Sequence, residues 1–379
     1  MTRLVVLKET QAGERRVAVV PADLPRLGDL GLEVVVEQGA GESSSHPDTE
    51  YELAGASVAP LPEALDKAAA VLVKVRPPSE GEAAALPQHA TLICFLPPAA
   101  HLPVVGRLRD RGITSYSFDL VPRISRAQSV DALSSQASVA GYVAAIIAAR
   151  RLGQMMPMLM TAAGTIPPAK VFVIGAGVAG LQAVATARRL GASVSAFDIR
   201  LEAAEEVRSL GARFVDLALE ATRGAGGYAA EQSEEFLRKQ QELVATTIAE
   251  SDAVVTTAAV PGRPAPRLIS AAVVETMRSG SVIVDLAAAS GGNCELTRDG
   301  EEVVHHGVLI VSAGNLASEV SKSASALYSR NVSNLLALLV KAGEVVTQPE
   351  DEVLTSMCLT DGGQVRHEPT RAAMEGTAE

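Results

Sequence analysis

The 379-residue sequence predicts an α/β fold: two doubly wound parallel-sheet domains, separated by a cleft and joined by long helices. Three observations predict it. Short apolar runs rich in valine and isoleucine recur along the chain, as strands buried on both faces require. Helical stretches alternate with them, which implies parallel sheets. Residues 170–198 spell one complete strand–helix–strand unit, with glycines at its first turn and an acid at its end.

Taken in order, residues 3–7 form the first strand. A loop from Gly13 runs through Arg16 to Pro21, which opens a helix through Leu30, because proline suits the first helical turn. Strands follow at 32–37, 69–75, 91–96 and 115–118. Gly39-Ala40-Gly41 closes the first of these, and Pro97-Pro98 stops the third. Residues 132–152 read as a long helix crossing into the second domain. That domain adds strands at 171–174, 193–197, 213–215, 252–257, 281–285 and 307–312. Pro261-Gly262-Arg263-Pro264-Ala265-Pro266 and Gly291-Gly292-Asn293 follow two of them, at strand C-terminal ends, where doubly wound sheets bind ligands. A helical pattern at 321–339 returns the chain to the first domain. The tail from Gly343 holds short strand-like pieces and ends in a polar stretch expected to be disordered. Residues 1–134 plus 316–379 thus form a discontinuous N-terminal domain, and 135–315 a nucleotide-binding one.

The second domain is Rossmann-like. Lys170-Val171-Phe172-Val173-Ile174 is an apolar strand, and Gly175, Gly177 and Gly180 follow in G-x-G-x-x-G spacing. Gly175 permits the tight turn, Gly177 lets backbone approach a pyrophosphate, and Gly180 lets helix pack on strand. The helix N-terminus offers unpaired N–H groups to the phosphates. Gly191 suits its stop. Asp198 ends the second strand, where a carboxylate accepts the adenosine ribose hydroxyls. It also favours NAD over NADP. A 2′-phosphate beside a carboxylate costs about 4 kcal/mol at ~4 Å and an effective dielectric of ~20. A lost hydroxyl bond costs only about 1–3 kcal/mol. Arg200 could greet a 2′-phosphate, pair with Asp198 or stack near the adenine.

Composition excludes several classes. Net charge is −11, which disfavours nucleic acid and anionic lipid as direct partners. Cys94, Cys294 and Cys358 lie far apart with no C-x-x-C, so they read as reduced thiols, and no metal site is spelled. The N-terminus is a strand entry rather than a signal peptide. The longest apolar candidate, residues 137–149, stops at Arg150-Arg151, so no membrane insertion is expected.

A second constellation precedes the long helix. Arg123, Arg126, Gln128, Asp131 and Ser134 crowd into a short polar stretch. A nicotinamide carboxamide offers one acceptor and one donor group. Arg or Gln can serve the first, Asp or Ser the second. A solvated loop with a local Arg–Asp pair is the alternative. Absences matter as well. Reduction of a carbonyl or imine moves a proton with the hydride and calls for a placed acid or base. None of His46, His89, His101, His305, His306 and His367 sits in a motif suggesting that work. Lys74, in an apolar strand, reads equally as a functional group or an edge-strand charge. Residues 223–235, glycine-rich around Tyr228, read equally as a mobile loop or a plain surface connection.

These strings carry a family resemblance. Lys8-Glu9, Glu14 with Arg16-Val17-Ala18, Pro21, Gly39-Ala40-Gly41 and Lys74-Val75 resemble the alanine dehydrogenase superfamily. Arg123-Ile124-Ser125-Arg126-Ala127-Gln128 leading to Asp131-Ala132-Leu133-Ser134-Ser135, Ala162-Ala163-Gly164, Gly226-Gly227-Tyr228-Ala229 and the 261–266 string are similar to the NAD(H)-binding domain I of proton-translocating NAD(P) transhydrogenases, in the form of a separate soluble subunit. The likeness covers nearly the whole chain. It implies direct hydride exchange between NADH here and NADP(H) on a domain III partner subunit, driven by proton flow through a membrane domain II subunit. It implies a homodimer, cytoplasmic and peripheral to the inner membrane through those partners. It assigns the nicotinamide side to Arg123, Gln128, Asp131 and Ser134, and cofactor contacts to Ala176, Gly177, Val178, Asp198, Ile199 and Arg200. Gly227 and Gln240 flank the mobile loop with Tyr228 at its centre, and Ala259 stands where a bulkier Leu is usual. Exchange between two nicotinamides moves no proton at the reacting carbon, so it needs orientation rather than an acid or base. The alternatives are a stand-alone alanine dehydrogenase and a non-catalytic NADH-binding module. The first is disfavoured because Pro97 and Ala289 replace its His and acid, although Arg16 and Lys74 match its Arg and Lys.

Overall fold

The computed structural model describes residues 2–65, 71–215, 234–259, 264–346 and 350–376. The chain forms two compact units, residues 1–136 with 317–379, and residues 137–316. The first carries β1 (Thr2–Val6), β2 (Leu32–Glu37), β3 (Ser57–Ala59), β4 (Val71–Val73), β5 (Thr91–Cys94) and β6 (Thr114–Ser117). These six are parallel, in the order β6-β5-β4-β1-β2-β3. Their apolar runs send successive side chains to opposite faces. Leu4, Val6, Val34, Val36, Val71, Val73 and Ile93 enter one core layer, and Val5, Val35, Leu72, Leu92 and Cys94 enter the other. The sheet is therefore covered on both sides, as doubly wound sheets are.

The long helix α1 (Ala132–Arg151) carries the chain from the first unit into the second. By length and composition it could cross a bilayer. It nevertheless buries Val139, Val143, Ala144, Ala145 and Ala148 inside the protein, and two arginines close its last turn, where cations suit the helix dipole.

An exposed hairpin, β7 (Leu159–Thr161) and β8 (Gly164–Ile166), opens the second unit. Its main sheet contains β9 (Lys170–Ile174), β10 (Ser193–Phe197), β11 (Arg213–Phe214), β12 (Ala253–Thr256), β13 (Val282–Asp285), β14 (Glu302–His305) and β15 (Val308–Ser312). The order is β11-β10-β9-β12-β13-β15-β14, parallel except for the antiparallel edge strand β14. Helix α2 (Val178–Arg189) follows β9 directly, three residues earlier than its Gly-free run begins.

After Leu316 the chain rejoins the first unit through α3 (Ser321–Leu339). Its buried Ala324, Tyr328, Val332, Leu335, Leu336 and Leu339 recur at helical spacing and join the main core there. Ser325 and Ser329 on the same helix accept hydrogen bonds from the Val17 and Val20 N–H groups, at 3.0 and 3.1 Å, and so satisfy backbone that has no strand partner. The tail holds the short strand pieces expected of it, and residues Glu368–Glu375 are helical where a disordered polar end was expected. β16 (Val340–Lys341) pairs with β17 (Glu344–Val345), and β18 (Cys358–Asp361) adds antiparallel to β6, with β19 (Gln364–Val365) outside it. A helix, Glu368–Glu375, follows. Leu359 and Val365 anchor this tail in the core, which a polar composition concealed.

Candidate functional site

The glycine turn lies at the C-terminal end of β9, where the strand order reverses between β9 and β12, the point at which doubly wound sheets bind ligands. Gly175 has φ +96° and sits so close to β12 that a Cβ would lie 2.6 Å from Thr257 Oγ1. Thr257 donates to the Gly175 carbonyl at 3.1 Å and locks the turn. A Cβ on Gly180 would overlap the Gly175 carbonyl oxygen, so only glycine lets α2 start against the strand. Around Gly177 nothing lies within 4 Å of the Cβ position, so the approach to the N-terminus of α2 is open. Val178 beside it is exposed. A further glycine joins the two long helices: a Cβ on Gly141 of α1 would overlap the Ala179 carbonyl oxygen.

Asp198 is 9% exposed. Its Oδ2 accepts the Ala176 N–H at 2.7 Å, tying the end of the second strand to the glycine turn. Arg200 donates to it from both backbone N (2.8 Å) and Nε (3.1 Å), the pairing alternative among the three open to Arg200. Burial pushes the Asp198 carboxyl up, but the Arg200 and Ala176 hydrogen bonds outweigh it and hold the acid below its ordinary range. Ile199, between them, is 82% exposed, an apolar face with no covering side chain.

Around this turn stands a polar framework that sequence reading missed. Asp285, at the end of β13, is wholly buried. It accepts from Thr256 Oγ1, Ala287 N, Asn293 N, Cys294 N and Thr297 Oγ1 at 2.7–3.0 Å. Asn293 uses its side-chain amide as a substitute strand, accepting from Ala258 N (3.1 Å) and donating to Ala258 O (2.8 Å). That holds the segment leading to the exposed Ala259. The Gly291-Gly292-Asn293 string was the only signal of it. Gln240 is half-buried on the helix Glu234–Ala249. Gly227, Tyr228, the rest of residues 223–233, Ala69 and Pro261-Gly262-Arg263 lie outside the described residues.

In the first unit, the polar loop is a 3-10 turn, Ser125–Val130, leading into α1. Asp131 caps that helix: its Oδ1 accepts the Ser134 N–H at 2.9 Å and its Oδ2 accepts the Ser134 hydroxyl at 2.5 Å. The local Arg–Asp pair is not formed; Arg126 instead meets Asp351 at 2.5 Å. Arg123 and Gln128 are exposed, and among the described residues their side chains take no hydrogen-bond or ion-pair partner. Asp131 and Ser134 are thus brought together, while Arg123 and Gln128 are presented to solvent.

Lys74 corrects the edge-strand alternative. It follows β4, an interior strand, is 2% exposed, and pairs with Glu82 at 2.8 Å. Beside it Glu9 accepts the Val75 N–H at 2.6 Å, and burial pushes its carboxyl up to about 7 against the pull of Lys74. Arg16 is held bidentate by Glu14, at 2.8 and 2.6 Å, and donates to Gln136 at 2.8 Å. These groups occupy the ends of β1 and β4, the order reversal of the first sheet.

The residues present fit a dinucleotide. The open approach at Gly177 and the N-terminus of α2 suit a pyrophosphate. Asp198 accepts from Ala176 N, Arg200 N, Arg200 Nε and Arg200 Nη2, which fills its four acceptor positions, so ribose hydroxyls would take the places held by the exposed Arg200 side chain. The bare Ile199 and Val178 suit flat apolar ring faces.

Comparison with known proteins agrees. Residues 5–140 match the family model "Alanine dehydrogenase/PNT, N-terminal domain" and residues 144–368 match "Alanine dehydrogenase/PNT, C-terminal domain". An NAD(P) transhydrogenase subunit alpha chain of Rhodospirillum rubrum is 45% identical over 96% of this chain and 98% of its own. The crystal structure of transhydrogenase from Sinorhizobium meliloti superposes with TM-score 0.84 at 43% identity, over 96% of this chain and 98% of that one. The alanine dehydrogenase of Mycobacterium tuberculosis is more distant, 31% identical over 85% of this chain and 83% of its own.

Proposed function

The chain belongs to the alanine dehydrogenase/PNT family, and on that premise we propose that it is the NAD(H)-binding subunit of a proton-translocating NAD(P) transhydrogenase. The observation that carries this is the Gly175–Gly180 turn in the second unit, tied to Asp198 through the Ala176 N–H and open at Gly177. Bound NADH supplies a hydride to NADP⁺ on a domain III partner, and a membrane domain II partner couples the exchange to proton flow. This chain's role is then to bind and orient. Gly175, Ala176, Gly177, Val178 and Gly180 receive the pyrophosphate, and Asp198, Ile199 and Arg200 the adenosine. The family resemblance assigns Gln240 and Ala259 to this cofactor as well, together with Gly227 and Tyr228, which lie outside the described residues. Arg123 and Gln128, free to reach a carboxamide, act with Asp131 and Ser134 at the nicotinamide.

Two further observations support this over an amino-acid dehydrogenase. The cations that would hold a 2-oxo acid, Arg16 and Lys74, are each paired with a carboxylate of the chain itself, Glu14 (which Arg76 shares) and Glu82. Pro97 and Ala289 carry no proton. The homodimer is supported by the β7–β8 hairpin, whose neighbourhood exposes Met155, Met158, Leu159, Met160 and Ile166 together. A monomer at micromolar concentration by sedimentation would remove the dimer from this reading. Through its partners the subunit sits at the cytoplasmic face of the inner membrane.

Mixing the purified chain with a domain III subunit tests the whole reading. Hydride exchange between NADH and NADP(H) is expected in solution without a membrane, and none from either chain alone. Alanine-dependent reduction of NAD⁺ by the isolated chain would overturn it.

A further inference from the structure

Far from the glycine turn, the second unit carries a donor cluster that nucleotide binding does not use. Edge strand β14 ends at His305, and a two-residue turn, His306-Gly307, reverses the chain into β15. Both turn residues have positive φ, +49° and +77°, the geometry of a tight type I′ hairpin. The two imidazoles therefore stand side by side, centroids 4.7 Å apart. Glu275, the last residue of the helix Ala271–Glu275, faces them. Its Oε1 lies 3.0 Å from His305 Nε2 and 3.8 Å from His306 Nε2. One ligand atom from each of the three residues falls within 4.8 Å of the others.

From this geometry we propose a binding site for one divalent transition-metal ion, held by His305, His306 and Glu275. A tetrahedral ion with bonds of about 2.0–2.1 Å places its ligand atoms roughly 3.3 Å apart. The carboxylate and His305 already stand near that separation, and His306 reaches it by rotating a side chain that solvent leaves free. Two imidazoles and one carboxylate select Zn²⁺, Ni²⁺ or Cu²⁺ over Mg²⁺ and Ca²⁺, which prefer all-oxygen sets. Three protein ligands leave a fourth position for water, so the site exchanges its ion. The hairpin lies at the end of β15 opposite the strand ends that carry the glycine turn, because β9 and β15 run parallel in one sheet. The ion would thus clamp the edge hairpin to the helix Ala271–Glu275 without touching the nucleotide.

The test uses the full chain without a histidine tag, titrated with Zn²⁺ by calorimetry and with Co²⁺ by visible absorption. One ion per chain is expected, with four-coordinate Co²⁺ bands lacking thiolate charge transfer, and a rise in Tm with Zn²⁺ but not Mg²⁺. His305→Gln, His306→Asn and Glu275→Gln should each weaken binding by about tenfold or more. Asn suits the left-handed turn position, so His306→Asn keeps the hairpin. NADH affinity, measured on every variant, should be unchanged and reports that the fold is intact. Unchanged Zn²⁺ affinity in all three variants, or no saturable binding, overturns the proposal. Half an ion per chain with a doubled mass also overturns it, in favour of bridging between copies.

Discussion

At the scale of single residues, the proposed function makes Asp198 the residue that sets both affinity and cofactor choice. Its charge is fixed by Arg200 and the Ala176 N–H, so it stays ionised and repels a 2′-phosphate. The protein should bind NADH at least about tenfold more tightly than NADPH by calorimetry. Asp198→Asn keeps an acceptor for Ala176 and should narrow that gap; equal affinities in the unaltered chain would mean that Arg200 governs the site. Asp131 invites a sharper test because it has a structural role as well. Asparagine caps helices as well as aspartate does. Asp131→Asn should therefore leave Tm nearly unchanged, and with Gln128→Ala it should slow hydride exchange far more than it weakens NADH binding. Lost affinity at an unchanged exchange rate would remove both from the nicotinamide side. Glu9 predicts a pH dependence. Its folded value of about 7 lies above the ordinary 4.5, so between the two the native state holds a proton that the unfolded chain has released. That contribution to stability is full below about 4.5 and is lost as pH rises through about 7. Denaturant melts should show stability falling over that window, and Glu9→Gln should flatten the fall.

At the scale of elements, the contact of α1 with α2 is the one to perturb. Gly141 brings the α1 backbone onto the carbonyl of Ala179, in the first turn of the helix proposed to receive the phosphates. Gly141→Leu should part the helices, lowering Tm and weakening NADH binding together; an unchanged NADH affinity would show that the turn is set by β9 and β12 alone. The strands of both sheets were legible because buried parallel strands are apolar runs, and Gly175, Gly180 and Asp198 because their spacing has a mechanical reason. The edge pieces were not. β14 alternates burial only weakly, with Val304 exposed, and β18–β19 are short. Asp285 and Asn293 were invisible for another reason. Their work is to satisfy backbone groups brought together by folding, and no local pattern announces that. The 123–134 loop announced its polarity, but not that Asp131 would be spent on Ser134 while Arg123 and Gln128 remained free.

At the scale of the whole molecule, the same strand order occurs twice. β3-β2-β1-β4-β5-β6 in one unit matches β11-β10-β9-β12-β13-β15 in the other. Each has a tie across its order reversal: Glu9 to the Val75 N–H in the first, Thr257 to the Gly175 carbonyl in the second. What differs is what fills the point. Glycines leave the second one open for a phosphate, whereas Lys74, Glu82, Arg16 and Glu14 close the first with paired charges. On the proposed reading one architecture thus supplies a binding half and a scaffold half, and the buried Arg16–Glu14 pair costs too much to break for a casual ligand.

The interruption of the first unit by the second has a consequence during synthesis. Tyr328, Val332, Leu335, Leu336, Leu339, Val353, Leu354 and Met357, all in the main core of the first unit, leave the ribosome only after residues 137–316. The inserted unit should therefore acquire protease resistance on the nascent chain while the N-terminal residues, translated earlier, are still waiting for theirs, a reversal of the usual first-made, first-folded sequence. Pulse proteolysis of chains arrested near residue 345, with the exit tunnel still sheltering α3, should leave a resistant fragment that begins near Ala137; one beginning at the N-terminus would show that the first unit folds without its closing helix.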